Sequence, residues 1–339
     1  MRIFYKLAQV SIVATMGLTL SIGALAADIT GAGATFPYAV YTKWAEAYQK
    51  ATGNKVNYQA IGSSGGVKQI RAKTVDFGGS DAPVKVEILD QAGLLQVPTV
   101  MGGVTLVMNV PGISSGQLKL DGVTAADIFR GAITKWNDPA IARLNPGVTL
   151  PNLAITLSHR SDGSGTTYAF THYLAKQSAA FQREVGAGNT GNWPRNAVGG
   201  KGNAGVAANV QKIRGSIGYV DIADALSNNM NFIALKNRAG NYIVPTQQAV
   251  ADAASGADFK VKGMAPDLLD QSHKNAWPIT TATYVLVYLQ GSNAAKQKSV
   301  VDFFTWSLNN GQKMAADLGF VALPPTVAKM VEAEMKKIR

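Results

Sequence analysis

Three segments rich in glycine and hydroxyl groups carry the residues best suited to chemistry. They are Gly31–Phe36 (GAGATF), Gly62–Gly66 (GSSGG) and Asp162–Thr167 (DGSGTT). Each segment stands immediately before a predicted helix, whose first amides have no partner inside the helix. Glycine lets backbone N–H groups approach an anion closely, and the helix dipole adds about half a positive charge. One such segment alone is typical of an ordinary helix cap. Three of them, with Arg160 beside the last, indicate a site for an anion.

Asp81 is the acidic residue that restricts which anion could bind. It ends the segment Val75–Asp81 (VDFGGSD), and an ionised carboxylate can only accept hydrogen bonds. Beside an anion it is favourable only if the ligand brings a proton, as monohydrogen and dihydrogen phosphate do. Sulfate has no proton at neutral pH, so a buried carboxylate facing it would stay unpaired at a cost of about several kcal/mol. Sites that require a ligand O–H reject its isostere by roughly 10⁴ or more. The alternative interpretation is an exposed loop carboxylate.

The nucleotide-binding motifs do not fit this sequence. In Gly31–Phe36, phenylalanine stands where the dinucleotide fingerprint requires glycine. In Gly200–Gly202 (GKG), glycine replaces the hydroxyl residue that follows lysine in a P-loop. These departures disfavour a kinase or nucleotidase.

A hydrolase or a metal site also has little support. Gly62–Gly66 matches the short nucleophile-elbow pattern of the α/β-hydrolases, which needs a histidine base elsewhere in the chain. The three histidines stand outside the usual context and lack metal-ligand spacing: His159, His172 and His273. We therefore predict no catalytic residue, no metal and no cofactor.

The elements that must position these segments predict an α/β sheet. Strands are predicted over Lys55–Ile61 and Val75–Gly79, with a glycine-rich turn and a helix between them. Leu153–Ser158 predicts a strand that opens into Arg160 and the third segment. Val97–Val110 predicts a strand interrupted at Gly102–Gly103. The remaining predicted elements are helices at 40–51, 124–129, 139–144 and 206–210, strands at 216–220 and 283–289, and two helices that close the chain.

Bulk composition fits an exported globular protein of two domains. The chain has 339 residues, 47% of them hydrophobic, no cysteine and a net charge of +11. Residues 1–26 predict a cleavable signal peptide, because Arg2 and Lys6 precede the apolar run Val10–Leu20 and Ala24–Ala26 ends it. An N-terminal membrane anchor is the alternative. Cleavage would leave 313 residues with a net charge of +9. A chain of this length is longer than a single hydrophobic core usually organises, which predicts two domains.

The sequence resembles the periplasmic phosphate-binding proteins of the bacterial high-affinity phosphate importer. The resemblance covers nearly the whole mature chain and is weakest between about 225 and 275 and at the C-terminus. The ordered blocks that carry it are Thr30–Pro37, Lys55–Gln59, Gly62–Ile70, Asp76–Gly78, Ser80–Pro83, Ile133–Asp138, Arg160–Thr166 and Trp277–Thr280.

That resemblance implies a two-lobed clamshell of the type II-like periplasmic-binding-protein fold, with a ligand cleft between the lobes. Lobe I would hold residues 27–103 and 278–339, and lobe II would hold residues 104–277. The positions that match the family's ligand contacts are Thr35, Phe36, Ser63, Asp81, Arg160, Asp162, Ser164, Gly165 and Thr166. Asp81 would accept the ligand's proton, while Asp162 would orient Arg160 and neutralise part of its charge.

The resemblance also implies a transport role rather than catalysis. The protein would capture inorganic phosphate in the periplasm and deliver it as a monomer to a membrane permease served by an ATPase. Arsenate is also expected to bind. A secreted phosphatase-like hydrolase of phosphate esters is the runner-up. A surface adhesin or nucleic-acid binder is a third alternative, although the basic residues are scattered except at Lys336–Arg339.

Overall fold

The structure is a computed structural model that describes residues 27–338. The signal-peptide prediction for residues 1–26 lies outside the described residues. Among the helices described, none has both the length and the apolar character needed to cross a membrane.

Strands and helices alternate along most of the chain. The strands are β1 Ile29–Gly33, β2 Val56–Ala60, β3 Phe77–Ser80, β4 Leu94–Met108, β5 Lys119–Leu120, β6 Thr156–Arg160, β7 Val198–Gly200, β8 Ser216–Asp221, β9 Asn231–Phe232, β10 Ala234–Lys236, β11 Tyr242–Ile243 and β12 Thr280–Tyr288. The helices are α1 Tyr38–Thr52, α2 Ser63–Arg71, α3 Val86–Ala92, α4 Gly122–Phe129, α5 Pro139–Leu144, α6 Gly165–Gln177, α7 Ala179–Glu184, α8 Gly202–Lys212, α9 Ile222–Ser227, α10 Gln247–Ala254, α11 Ala294–Asn310, α12 Gln312–Asp317 and α13 Pro325–Met335, with a 3₁₀ turn at Lys262–Met264.

One long strand joins the two parts of the main sheet. The strand order is β2-β1-β3-β12-β4-β8-β6-β7, with β9 also on β4, and a small separate sheet has the order β11-β10-β5. Residues 94–103 of β4 pair with β12, whereas Val104–Met108 pair with β8. The parallel strands β1, β2 and β3 lie on one side of this change of partner, and β6, β7 and β8 lie on the other.

Each part of the sheet is covered by aromatic side chains from its helices. On the first part, Phe304 of α11 packs edge-on against Tyr41 at 5.6 Å and Phe77 at 5.1 Å between ring centroids. On the second part, Phe170 of α6 stacks on Tyr219 at 4.2 Å. Aromatic pairs of this kind add about 0.5–1.5 kcal/mol each beyond the burial of their area. These contacts fix α1 and α6, the helices that follow the first and third glycine-rich segments.

Most predicted elements are present, and two predictions are wrong. Gly102–Gly103 does not interrupt β4. A Cβ atom would lie 2.6 Å from the Phe36 ring at Gly102 and 2.7 Å from the Trp277 ring at Gly103, so these glycines make room for aromatic rings on a continuous strand. The chain closes with three helices instead of two, because helix α11 ends at Gly311, whose carbonyl accepts a hydrogen bond from Trp44 Nε1 at 2.8 Å.

Helix α2 packs so closely on the ends of β1 and β3 that Gly66, in the first turn of the helix, has no space for a side chain. A Cβ atom at Gly66 would lie 2.6 Å from both Gly33 Cα and Gly79 O. Gly66→Ala is therefore expected to lower the free energy of unfolding by about 3 kcal/mol through overpacking, although alanine is the better helix former. Gly256→Ala, where a Cβ meets nothing within 4 Å, is the control and should stay within about 0.5 kcal/mol. Urea unfolding measures both, and equal stabilities for the two variants would contradict this packing.

Candidate functional site

Two of the glycine-rich segments are in direct contact although about a hundred residues separate them. The amide of Gly165 donates to Ser63 Oγ at 3.0 Å, and the amide of Ser64 donates to Gly163 O at 3.0 Å. Asn189 Nδ2 donates to Ser64 Oγ at 3.0 Å at the rim of this contact. The carboxyl ends of strands from both parts of the sheet therefore meet here, which is the usual place for a ligand in open α/β sheets.

The first glycine-rich segment, Gly31–Phe36, forms one side of a neighbouring cavity. Thr35 and Phe36 follow β1 and line a cavity of about 590 Å³ together with Asp162 and Asn203. Phe36 is buried, and its ring packs edge-on against Phe320 at 5.5 Å. The hydroxyl oxygen of Thr35 is buried and has no hydrogen-bond partner among the described residues. Thr35 thus offers an unused hydroxyl to the cleft.

Asp81 follows β3 at the base of this site and is only 1% exposed. Its Oδ1 accepts a hydrogen bond from Thr283 Oγ1 at 2.7 Å, and its Oδ2 lies 3.5 Å from Ser63 Oγ. Burial raises the pKa of Asp81 to about 7, against the lowering effects of Thr283, Arg160 and Ser63. Above that pH the side chain is an ionised acceptor held inside a group of donors.

Arg160 ends β6 and is 3% exposed. Its Nε and Nη2 donate to the two carboxylate oxygens of Asp162 at 2.8 and 2.5 Å. Its Nη1 donates to Asn203 Oδ1 at 2.6 Å and lies 3.4 Å from Thr166 Oγ1. This bidentate pairing fixes the guanidinium plane and offsets part of its charge.

Asp162 is held in its ionised form. Burial alone would raise the pKa of this carboxyl, but the hydrogen bonds and charge of Arg160 outweigh burial and hold the pKa below its usual range. The amide of Gly202 adds a further hydrogen bond to Asp162 Oδ1 at 3.0 Å. The Arg160–Asp162 pair is therefore close to neutral overall at physiological pH.

The start of helix α6 supplies the remaining predicted residues. Ser164, Gly165 and Thr166 are all buried, and Ser164 Oγ accepts from the amide of Thr167 at 3.1 Å as the helix cap. A Cβ atom at Gly165 would lie 2.6 Å from both Asp81 Cβ and Ser63 Oγ. Only glycine therefore allows this helix start to approach the Asp81 carboxylate.

Three further residues, which the sequence did not reveal, complete the site. Thr283 bonds to Asp81, and Asn203 bridges Arg160 to Asp221 through an Nδ2–Oδ2 hydrogen bond of 2.5 Å. Tyr219 OH accepts from the amide of Arg160 at 3.2 Å. Asn203 could have been suspected, because it lies in the glycine-rich turn 199–205. Thr283 and Tyr219 stand in ordinary β-rich strands, and only the strand register brings them to the site.

The histidines do not supply a base to this arrangement. His159 stacks on Trp193 with ring centroids 5.3 Å apart, and its Nδ1 faces the carbonyl of Arg160 at 2.8 Å. His172 lies over Tyr168 at 3.8 Å, and His273 Nδ1 is 3.8 Å from Asp252. Within residues 27–338 no group of three His, Cys, Asp or Glu side chains is placed to hold a metal. The arrangement is suited to holding an anion with hydrogen bonds.

Replacing Asp81 should reveal how much its buried carboxylate lowers the free energy of unfolding of the ligand-free protein. A folded-state pKa raised to about 7 means that Asp81 contributes stability at low pH and loses it as the pH rises through 7. Asp81→Asn has no charge to bury, so its advantage over the unmodified protein should grow by roughly 3 kcal/mol between pH 5 and pH 8. Urea unfolding at both pH values measures this difference. An advantage that does not change with pH would show that Asp81 is not a costly buried anion.

Comparison with known proteins agrees with this geometry. A family model described as a PBP superfamily domain matches residues 21–310. The phosphate-binding protein PstS of Pasteurella multocida is 48% identical, over 94% of this chain and 92% of that protein. The protein of the same name from Xylella fastidiosa is 49% identical, over 90% of this chain and 84% of that protein.

The fold is also found among solved structures. A phosphate-binding protein from Stenotrophomonas maltophilia superposes with a TM-score of 0.73 at 20% identity, over 90% of this chain and 93% of that one. This confirms the predicted α/β binding-protein fold with two lobes. With close to half of its residues shared with the PstS proteins over almost their full lengths, the chain belongs to the PstS family of phosphate-binding proteins.

Proposed function

We propose that the protein captures monohydrogen or dihydrogen phosphate in the periplasm and delivers it to the permease of an ABC importer with its ATPase. The observation that carries this proposal is the buried carboxylate of Asp81 beside Ser63, Gly165 and Arg160. Its relatives bear the name of phosphate-binding proteins. The proposed role is binding and transport, without chemical change of the ligand.

The proposed phosphate contacts are the nine residues predicted from the sequence. Amides and hydroxyls would donate to the ligand oxygens, Arg160 would add charged hydrogen bonds, and Asp81 would accept the ligand's proton. Support comes from the contacts that join Ser63 to Asp81 and Gly165, and Arg160 to Asp162 and Thr166. Most of the nine residues are also buried. Because Asp162 offsets the charge of Arg160, affinity would come from many dipoles.

We also propose the division into lobe I, residues 27–103 and 278–339, and lobe II, residues 104–277. Support comes from β4, which changes its pairing partner between Gly103 and Val104. At the same place Trp277 Nε1 donates to Val104 O at 2.9 Å, and Val104 N donates to Ile279 O at 2.8 Å. A hinge at these crossings would let the contact between Ser63 and Gly165 form only when the lobes close.

A titration of the mature protein, stripped of ligand, tests the proposed function. Phosphate and arsenate should bind, and sulfate should bind at least about 10⁴-fold more weakly at pH 8, because it leaves Asp81 without a proton to accept. Calorimetry measures the affinities, and release of phosphate from a phosphate ester is followed in parallel. Equal affinity for sulfate would refute the proposed specificity, and turnover of the ester would favour the phosphatase alternative.

Asp81→Asn should reduce the preference for phosphate over sulfate by about 100-fold or more at pH 8. The substitution removes a repulsive charge and adds an N–H donor, so sulfate should gain affinity while phosphate loses an acceptor. The same calorimetric titrations measure both changes. Unchanged discrimination against sulfate would contradict the acceptor role of Asp81.

Arg160→Lys should weaken phosphate binding by roughly 10- to 100-fold, because lysine keeps the charge but loses the planar fork that Asp162 orients. Arg214→Lys, at an exposed arginine of the same lobe, is the matched control and should bind as the unmodified protein does. Binding at full strength by Arg160→Lys would mean that the guanidinium geometry has no part in recognition.

A further inference from the structure

Thr283 contacts Asp81 just beyond the last residue pair of strands β12 and β3. Strand β12 pairs antiparallel with β3, and Tyr284 is opposite Ser80, so the next position on each strand brings Thr283 and Asp81 together. Thr283 is fully buried, and its hydroxyl donates to Asp81 Oδ1 at 2.7 Å. The Oδ1 atom therefore already has a donor supplied by the protein itself.

The other oxygen of Asp81, Oδ2, lies beside Ser63. Ser63 Oγ, 3.5 Å from Oδ2, accepts two N–H hydrogen bonds, from Asp81 N at 3.2 Å and from Gly165 N at 3.0 Å. A hydroxyl has two acceptor sites and one proton, so the proton of Ser63 is left to donate to Oδ2, across a long contact of 3.5 Å that a closer acceptor would replace. A ligand placed here would receive the proton of Ser63, and Oδ2 would be the acceptor left for the ligand's own proton.

We propose that Thr283 is a positioning residue that sets the specificity of the site. By occupying Oδ1, its hydroxyl orients the Asp81 carboxylate, leaves Oδ2 to accept the ligand's proton and favours the ionised, accepting form of the side chain. The inference rests on the proposed function, since it concerns how the same site distinguishes phosphate from sulfate.

Thr283 is itself held by a chain of buried hydroxyl groups. The pairing of β12 with β4 shifts by one residue between Thr283 and Tyr284, which leaves Thr99 as an extra residue in β4. Thr99 Oγ1 lies 3.4 Å from Thr283 O and 2.8 Å from Tyr41 OH. Bulges of this kind redirect side chains beside functional sites. Here the shift links helix α1 to the residue that contacts Asp81.

The other charged or titratable groups that face Asp81 are one arginine and three buried tyrosines. Arg160 approaches from β6, and three tyrosines approach from α1, β2 and β12: Tyr41, Tyr58 and Tyr284. Burial raises the pKa of each of these tyrosines, so they stay neutral. Burial likewise raises the pKa of Asp81, and the hydrogen bond from Thr283 is the largest opposing influence. Loss of that bond should therefore protonate Asp81 at a higher pH.

The test compares phosphate and sulfate affinities of Thr283→Val, Thr283→Ser and the unmodified protein between pH 5.5 and 9. In the unmodified protein the preference for phosphate should fall as the pH drops through about 7, because protonated Asp81 no longer repels sulfate. In Thr283→Val the same fall should occur about one pH unit higher, with a preference about 10-fold lower at pH 7.5. Thr283→Ser, which keeps the hydroxyl, should stay within about threefold. The ionisation of the ligands is common to all three proteins and cancels.

Two further variants separate this role from a structural one. Thr281→Val, on the same strand but without a hydrogen bond to Asp81, should leave the pH profile unchanged. In an Asp81→Asn background, Thr283→Val should not change the preference for phosphate any further. If the single variant Thr283→Val fails to fold, the double variant still gives a test, because it has no buried carboxylate that lacks the Thr283 donor. An unshifted profile in Thr283→Val, or an equal effect with and without Asp81, would overturn the role of Thr283. Failure of the unmodified protein to bind phosphate would instead overturn the proposed function.

Discussion

A buried carboxylate surrounded by hydrogen-bond donors is the constraint on which the site depends. Asp81 is costly to ionise in its place, as its raised pKa indicates, and the fold offsets the cost with a hydroxyl from Thr283 and the nearby charge of Arg160. The helix start at Gly165 can approach this carboxylate only because it has no side chain. Glycine at this position and at Gly66 thus serves one purpose, which is to bring helix starts from both parts of the sheet against Asp81 and Ser63.

The positive charge of the chain has little to do with this site. The net charge is +11, yet the one buried arginine within residues 27–338, Arg160, has its guanidinium paired with Asp162. A cluster of lysines would attract every anion and would be screened by salt. Short dipoles at fixed positions distinguish anions by their shape and by where their protons lie. The proposed selectivity would therefore depend on a rigid backbone around the site, and the aromatic packing at α1 and α6 supports such rigidity.

The sequence predicts the parts of the site that are local and misses those that depend on register. Glycine and hydroxyl groups before a helix are visible in any sequence, and so is an aspartate at the end of a short strand. Thr283 is one β-branched residue among several in its strand, and nothing in the sequence indicates that it would contact Asp81. The error at Gly102–Gly103 has the same origin, because these glycines face rings of Phe36 and Trp277 that come from distant segments.

The interaction of the ligand with Asp81 would contribute both to the specificity of the site and to the free energy of closing the cleft. The hydrogen bond between Gly165 and Ser63 joins the two parts of the sheet, and Asp81 lies beside it. An anion without a proton would place its charge against the carboxylate just as the cleft closed over it, in surroundings where charge repulsion is strongest. Such a ligand would favour the open arrangement, whereas a protonated oxyanion would favour the closed one. A permease that recognises the closed arrangement would therefore receive the discrimination made at Asp81 without contacting the ligand.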